Sequence, residues 1–238
     1  MSAAAFDVRA GHLLRICNFG NALVTYGDGL RLQQQLAQLC KARAVPDTLL
    51  LLQHAPVYTL GKRGSSKDFR TAPEQLQAQG AEVHLSDRGG EVTYHGPGQV
   101  VMYPIVNLRR LGVGARAYVE GLEDAMVRVA GAYGVSARGR VPARTGVWVG
   151  DRKLGAVGVR ISHGVATHGV ALNVATDLRA FAPIVACGLA GAVATSLHAE
   201  LACVNAAQLA SAFARRFGYT QREHVTPSEL RSSMLELG

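Results

Sequence analysis

Two side chains of this sequence have the chemistry for nucleophilic catalysis, the thiol of Cys187 and the amine of Lys153. Cys187 follows an apolar run and precedes Gly188, so its thiol can be approached from one side. The backbone N–H that follows such a nucleophile can also stabilise an oxyanion. A thiol needs an activating group, because its reference pKa near 8.5 leaves only roughly a few per cent thiolate at neutral pH. The alternative interpretation is a buried and unreactive cysteine.

Lys153 opens a predicted strand, Lys153–Ile161. Because side chains alternate along a strand, positions 153, 155, 157, 159 and 161 are expected to share one face, which carries Gly, Val, Val and Ile besides the lysine. Desolvation on such a face would lower the pKa of the amine, which could then pair with a thiolate or carry its proton. The alternative is a lysine at a strand end that reaches into solvent.

A glycine-rich block, Arg88–Gln99, is the most informative segment of the chain, with the sequence RGGEVTYHGPGQ. Its glycines can adopt φ > 0 and let backbone N–H groups approach a ligand. The block leads into the largely apolar run Val100–Val106, which predicts a core strand. A tight binding loop anchored on a buried strand is therefore expected, with an ordinary β-turn as the alternative.

Two histidines compete as proton carriers or hydrogen-bond donors to a substrate carbonyl, His95 in this block and His168 further on. Each could equally hold a loop in place. His163 and His168 are five residues apart on a predicted turn, which excludes the helical spacing of a zinc protease pair, and we expect no metal site.

Length and composition indicate one globular domain over residues 1–238, with 48% apolar residues and no run long enough to span a membrane. The net charge of +8 favours an acidic partner. Nucleic acid is the weaker choice, because no basic helix, zinc-finger spacing or aromatic RNA-binding motif is present. The four cysteines lack a CxxC spacing, which argues against a zinc site or a disulfide scaffold and fits a reducing compartment: they are Cys17, Cys40, Cys187 and Cys203.

The hydrophobic pattern predicts helices and strands that alternate in groups. Leu32, Leu36, Leu39 and Cys40 form one helical stripe, which predicts that Cys40 is a core residue. The other expected elements are a strand at 48–53, a helix opened by a capping box at 71–74 and ending at Gly80, a strand at 82–85, a helix at 116–133, a hairpin of 145–150 with 153–161, a strand at 165–174 and a last helix around 209–217. Strands joined by hairpins with helices between them predict an α+β fold, with an antiparallel sheet covered mainly on one face.

Five segments in this order resemble the lipoyl(octanoyl) transferase family: Arg88–Gln99, Gly146–Val149, Lys153–Gly158, His168–Asn173, and Cys187–Gly188 followed by Thr195–Leu197. The resemblance implies the α+β fold of the biotinyl/lipoyl protein ligases, a mixed and mainly antiparallel sheet with flanking helices, with the core motifs in 47–197. Thr145 and the sequence GVWVGDRK that follows it are similar to the corresponding segment of plant-type mitochondrial members. A mitochondrial location is expected on this basis and from the acid-poor N-terminus, and a cytoplasmic one if the protein is bacterial.

The resemblance also implies an activity. Members transfer an octanoyl group from octanoyl-acyl carrier protein to a lysine of lipoyl domains, through an acyl-thioester that here falls on Cys187 and is tuned by Lys153. This is the first step of endogenous protein lipoylation, and the acceptors are the lipoyl domains of 2-oxoacid dehydrogenase E2 subunits and the glycine cleavage H protein. No cofactor, metal, nucleic acid or membrane is implied. The implied substrate-binding residues, with His168 as a possible accessory, are Arg88, Gly89, Gly90, Glu91, Val92, Thr93, Tyr94, His95, Ala156, Val157, Gly158, Gly169, Val170 and Ala171.

The small residues among these are expected to line a narrow slot for an eight-carbon chain, whose burial contributes about 0.8 kcal/mol per CH₂. Ala186 stands where family members commonly have proline before the cysteine, and Ala166-Thr167 replaces a commoner Thr-Ser pair. Two alternatives stay open. An ATP-dependent lipoate- or biotin-protein ligase of the same fold would need a lysine like Lys153 but not Cys187. A non-catalytic protein that binds acyl carrier or lipoyl domains would need neither.

Overall fold

The computed structural model of this chain describes residues 13–185, 193–200 and 206–236. Cys187 and Cys203 lie outside the described residues, as do Ala186 and Gly188. The strands are β1 (Leu13–Val24), β2 (Asp47–His54), β3 (Val57–Leu60), β4 (Glu82–Leu85), β5 (Val92–His95), β6 (Gln99–Asn107), β7 (Val147–Val149), β8 (Arg152–Ser162), β9 (Val165–Asn173), β10 (Val193–Ala194) and β11 (Gln221–Val225). The helices are α1 (Tyr26–Lys41), α2 (Pro73–Ala78), α3 (Leu108–Leu111), α4 (Ala115–Ala132), α5 (Ala206–Arg216) and α6 (Pro227–Leu235).

Eight of these strands form the main sheet, in the order β10-β8-β9-β6-β2-β1-β11, with β7 paired to β8 beside this path. The pairs β2–β6, β6–β9, β8–β9 and β7–β8 are antiparallel, whereas β10–β8, β1–β2 and β1–β11 are parallel. A second sheet of three strands has the order β4-β3-β5. The predicted α+β class with a mixed, mainly antiparallel sheet is confirmed.

Helices cover the main sheet on both faces, so the expectation of one covered face is wrong. On one face α4 and α5 share a core cluster with Leu49 and Leu51 of β2, and on the other α1 and α6 share one with Leu50 and Leu52. The cause lies in β2 itself, which is apolar at consecutive positions and therefore has no side that can face water. The core position of Cys40 on α1 is confirmed, with its side chain fully buried.

Several elements differ from the sequence pattern. The capping box at 71–74 is absent, because α2 begins at Pro73 with Ala72 as its N-cap and no side-chain cap. The sequence pattern did not predict several short elements, nor the first strand and the C-terminal ones: these are β1, β3, β5, α3, β10 and everything after α5. A capping box does occur at α6, where Thr226 accepts from the Glu229 N–H and the Glu229 carboxylate accepts from the Thr226 N–H. Within the described part of the chain, no helix is both long enough and apolar enough to cross a membrane.

Candidate active site

A cavity, here called the central cavity, lies between the β8–β9 hairpin and the glycine-rich block. All the implied substrate-binding residues line it except Gly89 and Tyr94. Lys153 and His168 line it as well. The sequence analysis did not assign the remaining described residues of its wall, which are Tyr26, Arg63, Tyr103, Ala143, Arg144, Thr145 and Trp148.

The glycine-rich block is not one continuous loop. Its middle, Val92–His95, is strand β5, which pairs antiparallel with β3. Because side chains alternate along a strand, Thr93 and His95 are on the side opposite to Tyr94. The Tyr94 ring instead contacts Tyr58 and Phe181, at centroid distances of 5.1 and 5.7 Å.

Gly89, which does not line the cavity, connects the glycine-rich block to β8. Its N–H donates to the carbonyl of Val159 at 2.9 Å and so ties the block to β8. Gly61 packs so closely beneath the block that a Cβ there would lie 2.3 Å from the Gly90 oxygen. The block is therefore held between β8 and the segment after β3.

Arg88 organises this block from inside. The side chain is 7% exposed, and its Nη2 donates to the carbonyls of Thr59 and Glu91 at 2.7 and 2.9 Å. Nη2 also donates to the Thr59 hydroxyl, and Nη1 donates to the carbonyl of Gly89 at 3.0 Å. The planar guanidinium thus joins β3 to both halves of the block, which indicates a structural role alongside any contact with a ligand.

Replacing Arg88 by lysine is expected to lower the free energy of unfolding by about 2–4 kcal/mol, because one ammonium cannot reach carbonyls on two segments and leaves buried acceptors unpaired. Denaturant unfolding followed by circular dichroism measures this. Arg63→Lys is the matched control, since Arg63 bonds Glu91 of the same block through an exposed ion pair at 3.0 Å. That change is expected to cost at most about 1 kcal/mol. Equal costs for the two variants would contradict the proposed role of Arg88.

The floor of the cavity is the β8–β9 hairpin, where small residues face one another. Ala156 pairs with Ala171, and Gly158 pairs with Gly169. A Cβ on Gly158 would lie 3.0 Å from the Gly89 oxygen and 3.1 Å from Arg88 Cδ. The lack of side-chain bulk at Gly158 therefore leaves room beneath the glycine-rich block, whereas a Cβ on Gly169 would instead meet the Met102 oxygen of β6.

Lys153 reaches this floor because of an irregularity in β8. Val147 of β7 pairs with Gly155, but the next residue, Trp148, pairs with Lys153, so Leu154 is an extra residue on β8. A bulge of this kind resets the alternation of side chains. Lys153 therefore lines the cavity together with Ala156 and Gly158, while a Cβ on Gly155 would point at Met126 of α4. The expectation that Lys153 shares the face of Gly155, Val157 and Val159 is wrong for this reason.

The Lys153 ammonium lies over an aromatic wall. Its Nζ is 5.3 Å from the centroid of the Trp148 ring, within the range of a cation–π contact. The Arg144 guanidinium is 4.1 Å from the same ring, and the Trp148 indole N–H donates to the Arg144 carbonyl at 2.9 Å. Trp148 is 1% exposed and fixes this end of the cavity.

Glu123 of α4 holds the loop that faces Lys153, and the sequence analysis missed it. Its buried carboxylate accepts from the N–H of Gly146 at 2.6 Å and from the N–H of Arg140 at 2.8 Å. Gly146 has φ +126°, and a Cβ there would lie 2.8 Å from Lys153 Cε. An acidic residue on the apolar stripe of a helix, four residues after Val119 and three before Met126, was the available signal.

His95 presents an acceptor nitrogen rather than a charge. The Gln99 amide nitrogen donates to Tyr94 and Asn173 oxygens, so its Oε1 accepts from His95 Nδ1–H at 2.7 Å. This leaves the lone pair on Nε2. Burial, followed by the neighbouring His54 and Arg88, lowers the His95 pKa to about 3. His95 is therefore neutral at physiological pH.

His168 lines the cavity from β9, where it pairs with Val159, six residues along β8 from Lys153. It is 2% exposed, and its Nε2–H donates to Asp87 at 2.8 Å. Its pKa is lowered mainly by burial, against the raising effect of that bond. Its φ of +57° is unusual for a residue in a strand.

The expected nucleophile, Cys187, lies outside the described residues, so its position relative to Lys153 stays a prediction. The chain is described again from β10, whose Ala194 pairs with Lys153 of β8. Cys187 precedes that residue by seven positions in the sequence.

Comparison with known proteins identifies the family. Residues 25–218 match the family of lipoyl protein ligase A/B catalytic domains. The mitochondrial octanoyltransferase LIP2 of Arabidopsis thaliana is 45% identical over 218 residues, which are 89% of this chain and 92% of that protein. An octanoyltransferase of Acidobacterium capsulatum is 44% identical over 191 residues, 75% of this chain and 77% of that protein. This chain belongs to the octanoyltransferase family. The resemblance found in the sequence is confirmed, and the enzyme is an acyltransferase.

Solved structures confirm the fold of this octanoyltransferase. A putative lipoate protein ligase from T. acidophilum with bound lipoic acid matches with a TM-score of 0.64 at 15% identity, over 95% of this chain and 94% of that chain. Lipoate-protein ligase A bound with ATP also matches with a TM-score of 0.64, at 16% identity, over 95% and 93%. At these identities the likeness shows the biotinyl/lipoyl protein ligase-like fold and no more.

Proposed function

We propose that this enzyme transfers an octanoyl group from octanoyl-acyl carrier protein to a lysine of a lipoyl domain, by way of a thioester on Cys187. The observation that supports it most is the placement of the Lys153 amine at one end of a narrow cavity floored by Gly and Ala, in a chain of the octanoyltransferase family. The acceptors we propose are the lipoyl domains of 2-oxoacid dehydrogenase E2 subunits and the glycine cleavage H protein.

In the first step, the Cys187 thiolate attacks the carbonyl carbon of the donor thioester. A new S–C bond forms, the bond to the carrier's sulfur breaks, and the carrier thiolate takes up the proton that Cys187 gave to Lys153 Nζ. Lys153 serves as the proton carrier because it is the amine that the β8 bulge turns into the cavity. Two thiol-based steps let each carrier protein bind in turn.

In the second step, the neutral amine of the acceptor lysine attacks the Cys187 thioester. The C–N bond of the amide forms, the C–S bond breaks, and the amine proton passes through Lys153 to the Cys187 sulfur, which becomes a thiol again. The enzyme then holds no acyl group and returns to its starting protonation state. Water has to be kept out of the thioester, which the buried cavity wall, including Trp148 and Tyr103, favours.

The octanoyl chain would lie along the floor of small residues. Burial of each CH₂ contributes about 0.8 kcal/mol, so the length of the cavity can select the acyl chain without polar recognition. The net charge of +8 favours an acidic carrier protein as donor. For the compartment we propose the mitochondrion, on the similarity to the plant relative, with a bacterial cytoplasm as the alternative given the similar bacterial octanoyltransferases.

Intact-mass measurement after incubation with octanoyl-acyl carrier protein tests the intermediate. We expect the wild type to gain one octanoyl group, which hydroxylamine removes and an added lipoyl domain accepts. Cys187→Ser is expected to abolish the thioester, lowering transfer by at least about 10³-fold, as loss of a covalent nucleophile does. Cys203→Ser is the matched control, which removes a different thiol and should retain the adduct.

The same experiment separates the alternatives. Octanoylation that needs ATP and free octanoate, and survives Cys187→Ser, would contradict the transferase and support a ligase. Binding of the carrier protein without any acyl adduct or turnover would contradict catalysis and support a binding protein.

A further inference from the structure

We propose that His168 sets the acyl-chain length that this enzyme accepts, by closing the end of the central cavity opposite Lys153. This inference rests on the proposed function, since it takes the central cavity to hold the acyl chain. The place of His168 between two cavities is seen in the folded chain itself and does not depend on the proposed function.

His168 lines a second cavity besides the central one. This outer groove runs between α1 and the β8–β9 hairpin, lined among others by Gln33, Ala37, Asp87, Arg160 and Thr167, with a volume of about 400 Å³. His168 is the residue that the walls of the two cavities share among those described. Its buried ring is therefore the partition between them.

The partition is held rigidly. The His168 N–H donates to Gln33 Oε1 at 2.7 Å, its Nε2–H donates to Asp87 at 2.8 Å, and its ring meets the Tyr103 ring edge-on at 6.1 Å between centroids. Asp87 is itself fixed by Arg160 at 2.9 Å. The ring is thus held by Asp87, the residue before the glycine-rich block, and by Tyr103 of β6, while α1 holds the His168 backbone.

The backbone conformation around residue 168 explains why the His168 side chain lies between the two cavities. In the register between β6 and β9, Met102 pairs with Val170 and Val106 with Ala166, which places Pro104 opposite His168. Proline has no N–H to give to the ladder, and the pairing is interrupted at these positions. His168 adopts φ +57° in this gap and turns its N–H to α1 instead of to β6.

The position of the partition suits a limit on chain length. His168 pairs with Val159, six residues along β8 from Lys153, which is roughly 20 Å at the rise of a strand. The Lys153 side chain and the thioester occupy one end of that length, and the acyl chain occupies the rest. A chain much longer than eight carbons would have to pass the His168 ring.

Replacing His168 by glycine tests this with little backbone cost, since glycine favours the left-handed conformation found here. We expect the ratio of kcat/KM for dodecanoyl- over octanoyl-acyl carrier protein to rise by at least about tenfold, because added methylenes are rejected only where they have no room. His168→Asn, which also tolerates this φ, is expected to give a smaller rise. The double variant His168→Gly/Ala37→Phe fills the outer groove and is expected to restore the preference for octanoyl. An unchanged length profile in folded His168→Gly and His168→Asn would overturn the inference.

A binding measurement distinguishes this inference from the proposed function. Trp148 is the only tryptophan and lines the central cavity, so its fluorescence reports occupancy by free octanoate or dodecanoate without any turnover. We expect wild type to bind octanoate more tightly than dodecanoate, and His168→Gly to reverse that order. If wild type transfers no octanoyl group but the order still reverses, the proposed function fails and the partition stands. If wild type transfers the octanoyl group, but wild type and His168→Gly bind the two fatty acids in the same order of affinity, only the inference about His168 is contradicted.

Discussion

Replacing Lys153 by alanine is expected to lower kcat for octanoyl transfer by about 10²- to 10⁴-fold, the usual contribution of a positioned acid–base group. The reason is geometric. The Leu154 bulge turns the Lys153 amine into the cavity, and Trp148 and the Gly146 loop confine it there. Without the amine, the other cation beside Trp148 is the guanidinium of Arg144, and an arginine does not serve as a base in proteins.

Two further variants sharpen this prediction. Lys153→Arg keeps the positive charge but cannot release its proton, so it should lose nearly as much activity as Lys153→Ala. Added small amines should partly restore Lys153→Ala, since they can replace the missing base. Arg152→Ala is the matched control on the same strand, because Arg152 forms a half-exposed ion pair with Glu200 at 2.7 Å. We expect that variant to stay within about threefold of wild type. Activity of Lys153→Arg within tenfold of wild type would mean that Lys153 acts only through its charge.

The second large effect concerns stability in acid. The free energy of unfolding is expected to fall by about 4 kcal/mol between pH 8 and pH 5, from two buried histidines alone. Burial lowers the pKa of His54 to about 4, and burial together with His54 and Arg88 lowers that of His95 to about 3. Their ring centroids are 5.8 Å apart.

The direction follows from proton uptake. Below pH 6.5 the unfolded chain protonates both imidazoles, whereas the folded protein does not until the pH reaches about 4 and 3. The unfolded state therefore binds more protons in this range, and stability decreases as the pH falls through it. Each ring contributes up to about 1.4 kcal/mol per pH unit.

Urea unfolding at a series of pH values between 8 and 5 measures this slope. His95→Asn and His54→Gln are each expected to remove about half of it, at some cost in stability at pH 8. Tyr103→Phe is the control, because it removes the hydroxyl that donates to His54 Nε2 at 2.9 Å and leaves both rings in place. That variant should keep the steep pH dependence. A slope that is the same in wild type and in both histidine variants would show that the rings are not the source.

The sequence predicted elements whose signal is local. The apolar runs of β2 and β6 and the stripe of α1 with Cys40 appear where their patterns indicated, whereas the glycine-rich block, predicted as a loop, contains strand β5. Many residues of the cavity wall were also named from the sequence, because they stand in motifs that resemble a known family, and their roles stay a prediction. Patterns of this kind depend only on residues that are close in the sequence, so the sequence alone was enough to predict these elements.

The features that position the chemistry depend instead on distant partners. The bulge at Leu154 exists only through pairing with β7, and it reverses the face that Lys153 was expected to occupy. The interruption at His168 depends on Pro104 across the sheet and on Gln33 of α1. Glu123 acts on a loop about twenty residues later. Each of these contacts joins separate elements of the fold, so no short stretch of the chain could have indicated them.

The matched family region ends at residue 218, whereas the sheet continues beyond it. Strand β11 pairs along β1 from Leu13 to Cys17, and Glu223 bonds Arg15 at 3.0 Å, while Leu230 of α6 packs beside Cys17. A protein cut after residue 218 would expose the hydrogen-bonding edge of β1 and invite strand addition between copies. Engineering that borrows this catalytic region should therefore carry its last strand and helix with it.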